Sequence, residues 1–179
     1  MAYIWDDHDY CGNNKNANCI GRESTRKAYQ LGFPHYPLAD PAAPQDFTAS
    51  DVSPYQAFTI GTIRFVLTDL RSEAVESNET YAGSIMSAEQ KAFLFQEFNN
   101  AANFDFLVWV SSKPWIGKED VGGDNWQGWT DDREEVSNYI ASTIGTQKKN
   151  LLMVSSDAHM VAYDDGSNTD FSTGQNAAA

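Results

Sequence analysis

The chain has 179 residues, a length that fits one domain, and its 25 acidic and 12 basic side chains give a formal net charge of −13. This excess of negative charge repels phosphate backbones and anionic lipid headgroups, which argues against a nucleic-acid or membrane-surface ligand and favours cations. A content of 41% hydrophobic and 13% aromatic residues argues against a disordered chain. No apolar run reaches the roughly 20 residues that a membrane-spanning helix needs.

The two cysteines, Cys11 and Cys19, are too few for a disulfide framework or for a structural zinc site. They can pair with each other if the protein is secreted, whereas a cytosolic protein would keep them reduced. The sequence alone leaves both alternatives open.

The amino-terminal part combines an apolar segment with an acidic one. Residues 1–5 predict the end of a buried strand, and the run Asp6-Asp7-His8-Asp9 follows directly. Because chain termini are seldom tied down inside a core, we expect further chain upstream of this strand. Residues 10–54 predict a long irregular loop, of the kind that is often a functional insertion, with one helix over residues 22–31 that carries Ala28 and Leu31 inward.

The remainder predicts alternating strands and helices. Residues 57–60 and 63–67 flank Gly61-Thr62 and predict a β-hairpin. Ser87 and Gln90 form a capping box, which predicts a helix to about residue 101. Further elements are expected at these positions: a buried strand at 104–110, a helix at 131–144 and a buried strand at 151–154. On the two helices, the residues expected on the inner faces are Phe95, Phe98, Ala102, Val136, Ile140 and Ile144. The pattern indicates a layered α/β fold.

Two of the three histidines, His8 and His159, follow predicted buried strands and stand beside carboxylates. Ligands of layered α/β folds gather past the carboxyl ends of strands, where carboxylate oxygens and imidazole nitrogens can bind a cation. The pattern therefore predicts a metal site, with solvated acidic turns as the alternative. His35 has no carboxylate neighbour and is expected to pack in a loop.

The run Ile4-Trp5-Asp6-Asp7-His8-Asp9-Tyr10, followed by Gly12-Asn13-Asn14, resembles the Trp-Asp-Asp-His-Asp/Glu signature of PhoD-like alkaline phosphatases. These enzymes belong to the calcineurin-like metallophosphoesterases. Later segments agree in order and spacing: they are Thr68-Asp69-Leu70-Arg71, the helix from Ser87 to Phe98, Val110-Ser111-Ser112-Lys113-Pro114-Trp115 and Val154-Ser155-Ser156-Asp157-Ala158-His159-Met160. The resemblance covers residues 1–179.

This resemblance implies a four-layered α/β/β/α sandwich with mixed sheets and a dinuclear metal site at the strand ends. It implies hydrolysis of small phosphomonoesters or phosphodiesters, with calcium and iron as the metal ions. No nucleic acid is expected as a stable partner, and the family suggests an extracellular or periplasmic location.

The resemblance also implies roles for individual residues. Those implied as metal ligands are Asp6, Asp7, Asp157 and His159. His8 takes the position of the histidine that protonates the leaving group, held by Asp6 or Asp9, and Asp9 is counted with it as catalytic. Asn14 is assigned to substrate binding. Arg71, just past a strand, either contacts a phosphate through its planar fork or pairs with Asp69 or a loop carboxylate.

The superfamily's early motifs, which supply the bridging carboxylate and most ligands of one metal, are absent from the sequence. The chain therefore holds roughly half of a dinuclear site, and we interpret residues 1–179 as the central and carboxyl-terminal part of a phosphatase domain. Such a chain is expected to bind one cation weakly and to hydrolyse little. One alternative is a non-catalytic cation-binding module or remnant. Another is a nucleophilic hydrolase using Ser111 or Ser112, disfavoured because neither lies in a Gly-x-Ser-x-Gly elbow.

Overall fold

The computed structural model of the chain describes residues 1–44, 50–77, 83–117, 124–147 and 150–173. Within these residues it is a mixed α/β structure with one four-stranded sheet and four α-helices. The strands are β1 (Gln56–Ile60), β2 (Ile63–Thr68), β3 (Phe106–Ser111) and β4 (Asn150–Ser155). The helices are α1 (Asp7–Tyr10), α2 (Arg22–Gly32), α3 (Ala88–Asn99) and α4 (Thr130–Ile140). None of the described helices is long and apolar enough to cross a lipid bilayer.

The sheet has the strand order β1-β2-β3-β4. Strands β1 and β2 form the predicted antiparallel hairpin, whereas β2, β3 and β4 run parallel to one another. The parallel strands end in register, because Thr68 pairs with Ser111 and Ser111 pairs with Ser155. The segments that follow these strands therefore leave the sheet at one edge, where ligands of α/β folds bind.

The main core lies between one face of the sheet and the helices α3 and α4. Trp109 of β3 is fully buried there, and its ring meets those of Trp115 and Trp126 edge to face at centroid distances of 5.5 and 5.6 Å. Such aromatic pairs add to the stabilisation that burial provides. Helix α4 continues into a π-helical turn, Ala141–Gly145, and the predicted inner face of Val136, Ile140 and Ile144 is confirmed as buried.

The opposite face of the sheet is partly open. Strand β4 forms where it is predicted, but the prediction of full burial is wrong, because Leu152 and Val154 are 44% and 43% exposed. The reason is that β4 is an edge strand whose second face has no covering layer among the described residues. In this part of the chain a single sheet is present, rather than the two packed sheets that the resemblance implies.

Helix α2 has nearly the predicted bounds but the inner face is different. Ala28 is exposed and Leu31 is 76% exposed, whereas Arg26 and Tyr29 are buried. The helix packs on the amino-terminal segment, where the ring of Tyr29 lies 5.2 Å from that of Trp5. Its inner face is therefore aromatic and polar rather than aliphatic.

Helix α3 begins as predicted, since the Ser87 hydroxyl accepts a hydrogen bond from the Gln90 backbone N–H at 3.1 Å. The Gln90 side chain does not complete the capping box. Its amide oxygen instead accepts from the backbone N–H of Asp69 at 2.6 Å, which joins α3 to the end of β2. The helix passes into a 3-10 turn, Asn100–Asn103, which leaves Ala102 exposed rather than in line with the buried Phe98.

The predicted strand at residues 1–5 is wrong, because this segment is irregular. Trp5 is nevertheless buried, and its indole N–H donates to Asp69 Oδ1 at 2.9 Å. A disulfide bond joins Cys11 to Cys19 beside it, which is one of the two alternatives that the sequence left open. The segment is thus held by the indole hydrogen bond and aromatic packing rather than by strand pairing.

Candidate functional site

Four acidic and two basic side chains come together past the carboxyl ends of the parallel strands. Arg71 follows β2, Lys113 follows β3 and Asp157 follows β4. The other members of this group, which we call the charged cluster, are Asp6, Asp7 and Asp124. The parallel register of the sheet thus brings together residues that are far apart in sequence.

Three of the carboxylates lie close enough together to bind one cation. Asp6, Asp7 and Asp157 each offer one oxygen, and these oxygens lie within 4.8 Å of one another. Asp7 is 4% exposed, and its two oxygens accept backbone N–H groups, one from His8 at 2.6 Å and the other from Asn14 at 2.8 Å. These hydrogen bonds fix the orientation of the carboxylate, as the outer contacts of metal ligands do.

Asp6 connects several elements of the charged cluster. Its Oδ1 accepts from the Asp7 backbone N–H at 2.9 Å, which caps helix α1, and from Arg71 Nε at 2.7 Å. Its Oδ2 lies 2.9 Å from the hydroxyl of Ser156, at the end of β4. The carboxylate therefore links α1, β2 and β4 at one point.

Arg71 has no exposed side-chain surface and contacts three carboxylates. Its Nη2 lies 2.5 Å from Asp6 and 3.2 Å from Asp157, and its Nη1 donates to Asp124. Burial opposes the charge on the guanidinium, but the hydrogen bond that it donates to Asp124 and the charge of Asp6 outweigh this effect and raise the pKa of Arg71. Of the alternatives for this residue, the structure shows pairing with carboxylates, while Asp69 receives only its backbone N–H.

Lys113 and Asp124 were not singled out from the sequence. Lys113 is completely buried, its Nζ donates to Asp124 Oδ1 at 2.7 Å and it lies 4.9 Å from the centre of the Trp129 ring. Burial and the charge of Arg71 lower the pKa of Lys113. Partial burial opposes the charge on Asp124, yet hydrogen bonds from Arg71 and Lys113 lower its pKa. The signal in the sequence is a lysine directly after a buried strand, where a lysine seldom stays out of solvent without a partner.

The charged cluster has two more carboxylates than basic groups. Burial and the neighbouring carboxylates of Asp124, Asp6 and Asp7 raise the pKa of Asp157, although Arg71 opposes this. The hydroxyl of Ser112, which follows β3, is buried and forms no hydrogen bond with the described residues. The surplus negative charge and the oxygens of Asp6, Asp7 and Asp157 fit a cation bound by carboxylates.

The remaining predicted site residues lie around this group. His8 and His159 are both exposed. Among the described residues, His159 does not join the set of potential metal ligands formed by Asp6, Asp7 and Asp157. Asp9 accepts a hydrogen bond from the Tyr3 hydroxyl and closes the capping box of α1. Asn14 is exposed and contributes its backbone N–H to Asp7, in a backbone conformation with a φ of +55°.

The serine alternative finds little support in the surroundings of Ser111. Its hydroxyl donates to the Lys113 carbonyl oxygen at 2.6 Å and accepts from the Trp126 indole N–H at 3.0 Å. Ser111 is also 1% exposed. A hydroxyl with both of its hydrogen-bonding roles occupied has no base to activate it, which a nucleophile requires.

No model of a known protein family, no curated protein and no solved structure matches the chain. The resemblance to the PhoD-like phosphatases therefore rests on the sequence motifs alone, and the chemistry of the chain is inferred from the geometry of the site. That geometry is a group of carboxylates able to hold a cation, with two buried basic side chains beside it.

Proposed function

We propose that the chain is part of a metal-dependent phosphoric ester hydrolase of the PhoD-like alkaline phosphatase and phosphodiesterase type. The observation that carries the proposal is the convergence of Asp6, Asp7 and Asp157 with the buried Arg71 at the ends of the parallel strands. A cation site beside a guanidinium is the combination that phosphoryl transfer requires, because the transferred group is anionic throughout the reaction.

Asp6, Asp7 and Asp157 would hold the cation, and His159 would add an imidazole ligand after a change in its present exposed position. Carboxylate oxygens suit calcium, and a mixed oxygen and nitrogen set also suits iron. A metal bound there would polarise a phosphoryl oxygen of the substrate and lower the pKa of a bound water. A dinuclear centre requires further ligands besides these three carboxylates.

The other residues act on the substrate. Arg71 would contact the phosphoryl group through its planar fork. His8, on α1 directly after the ligand Asp7, would give a proton to the leaving group. Asp9, which anchors the start of α1 to Tyr3, positions that helix and hence His8. Asn14 would contact the substrate at the rim of the site.

The proposed fold is the four-layered sandwich of this family, in which a second sheet packs on the face that exposes Leu152 and Val154. Burial of such apolar side chains is favourable, so a partner layer on this face would stabilise the structure. An extracellular or periplasmic location is supported by the Cys11–Cys19 disulfide bond, since such bonds persist in oxidising compartments.

The test is hydrolysis of p-nitrophenyl phosphate and of bis-p-nitrophenyl phosphate after removal of metals by EDTA. We expect any turnover to be lost in EDTA and to return with calcium, with iron or with both. Asp157→Ala is expected to remove this metal-dependent turnover. Hydrolysis at an equal rate with and without metal would contradict the proposal.

A second candidate is a non-catalytic cation-binding module. It is favoured by two findings. The described residues contain one set of carboxylates able to hold a cation, and His8 and His159 near it are both exposed. In this case the chain would bind calcium without hydrolysing either ester, and Asp157→Ala would change only the calcium affinity.

A further inference from the structure

Two completely buried cations share one carboxylate oxygen in the charged cluster. Arg71 Nη1 and Lys113 Nζ both donate to Asp124 Oδ1, the lysine at 2.7 Å. Neither basic side chain has exposed surface, whereas the Asp124 side chain is 17% exposed. Asp124 is therefore the group of this trio that reaches solvent.

A pair of buried cations is costly unless anions compensate both charges. Asp124 accepts from both at a single oxygen. Arg71 has further carboxylate partners in Asp6 and Asp157, whereas Asp124 is the ion-pair partner of Lys113 among the described residues. Arg71 Nη2 forms ion pairs with Asp6 Oδ1 at 2.5 Å and with Asp157 Oδ1 at 3.2 Å, without hydrogen-bond geometry to either. The pair thus has more donor capacity than one carboxylate oxygen uses.

We propose that Arg71 and Lys113 form a binding site for a tetrahedral oxyanion, the phosphoryl group of the substrate, and that the Asp124 carboxylate occupies this site when no ligand is bound. The identity of the ligand rests on the proposed function, whereas the anion site itself does not. A carboxylate and a phosphoryl group present similar oxygen pairs to an arginine fork, and a lysine adds a point charge. Asp124 is then a competitor that the ligand displaces.

The geometry assigns separate parts to the two basic residues. Arg71 also contacts Asp6 and Asp157, so it stays next to the proposed cation ligands whether or not Asp124 is in place. Lys113 has Asp124 as its ion-pair partner among the described residues and lies over the Trp129 ring. Displacement of Asp124 therefore leaves Lys113 in need of a new anion, which the phosphoryl group supplies.

The test uses Asp124→Asn in EDTA, where neither metal binding nor turnover contributes. Thermal unfolding is followed in inorganic phosphate and in chloride of equal ionic strength, across a series of concentrations. A ligand that binds the folded state raises its stability with concentration, and we expect phosphate to bind the variant about tenfold more tightly than the wild-type chain. Phenylphosphonate, which carries the same head on an organic group, is expected to act like phosphate.

Two further variants serve as controls. Glu97→Gln removes the carboxylate from the Arg64–Glu97 ion pair, whose N···O distance is 2.6 Å. Phosphate should not raise the thermal stability of this variant above its value in chloride. Adding Lys113→Met to Asp124→Asn should abolish the response.

Equal phosphate affinity in wild type and Asp124→Asn would overturn the proposal. So would an Asp124→Asn chain that stays unfolded in both salts, because an oxyanion then fails to replace the carboxylate. A response to phosphate but not to phenylphosphonate would overturn the assignment to a substrate's phosphoryl group. Phosphate stabilisation without metal-dependent hydrolysis would uphold the anion site and count against the proposed function, so the two failures are distinguishable.

Discussion

The Arg71 guanidinium and the Asp6 carboxylate are in contact although 65 positions separate them, with Nε donating to Oδ1 at 2.7 Å. Asp6 is also the N-cap of α1, which carries the proposed ligand Asp7 and the proposed acid His8. One ion pair therefore connects the irregular amino-terminal segment to the end of β2. Together with the hydrogen bond from Trp5 to Asp69, this ion pair holds Asp7 and His8 beside the strand ends.

Arg71→Met is expected to lower the free energy of unfolding by about 3 kcal/mol, because it leaves the largely buried carboxylates of Asp6 and Asp157 without their cation. Urea unfolding followed by tryptophan fluorescence measures the loss. Arg64→Met is the matched control, since Arg64 pairs with Glu97 and its side chain is 22% exposed. We expect a loss of about 1 kcal/mol there, as for partly solvated pairs. Equal losses in the two variants would contradict the role given to Arg71.

The disulfide bond between Cys11 and Cys19 spans a sequence separation of 8. Closing so short a loop raises the free energy of the unfolded chain by about 2.5 kcal/mol in the chain-entropy treatment. The double variant Cys11→Ser/Cys19→Ser should lose about this much stability in urea. Reducing agent should destabilise the wild-type chain similarly and leave the double variant unchanged; a wild-type chain indifferent to reduction would refute the prediction.

Glu73 should make stability depend on pH. Burial, followed by the charge of Asp69, raises its pKa from the ordinary value of 4.5. The folded chain therefore binds this proton more tightly than the unfolded chain, so the contribution of Glu73 to the free energy of unfolding is most favourable below pH 4.5 and declines as the pH rises through the raised pKa. Relative to Glu73→Gln, the wild type should lose stability over this range.

Urea unfolding of both chains at several pH values measures the difference. Glu134→Gln, at an exposed position of α4, should leave the pH dependence of the wild type unchanged. Parallel stability curves for wild type and Glu73→Gln would show that Glu73 does not contribute to the pH dependence.

Local patterns predicted the elements whose signals lie within the element itself. The β1–β2 hairpin follows from two short apolar strands around Gly61, where φ is +61°. The inner face of α4 follows from the helical spacing of Val136, Ile140 and Ile144. These features need no knowledge of the rest of the chain.

Features that depend on distant partners were not predictable in this way. The apolar run of β4 does not show whether one face or two are covered, since that depends on a neighbouring layer. The face of α2 that is buried is set by Trp5 and the polar groups near Ser72, so Arg26 lies inside where an aliphatic residue was expected. The role of Lys113 was not predictable from the sequence, because its partner Asp124 is a loop residue that reaches it only in the folded chain.

The proposed phosphoester hydrolysis requires that Asp6, Asp7 and Asp157 hold a cation. Isothermal titration of the metal-free chain with calcium tests it most directly, with Asp157→Ala as the variant and Asp165→Ala, an exposed acidic residue after β4, as the control. We expect one cation per wild-type chain, unchanged binding in Asp165→Ala and loss of binding in a folded Asp157→Ala. Calcium binding that is the same in Asp157→Ala as in the wild type would contradict the proposal.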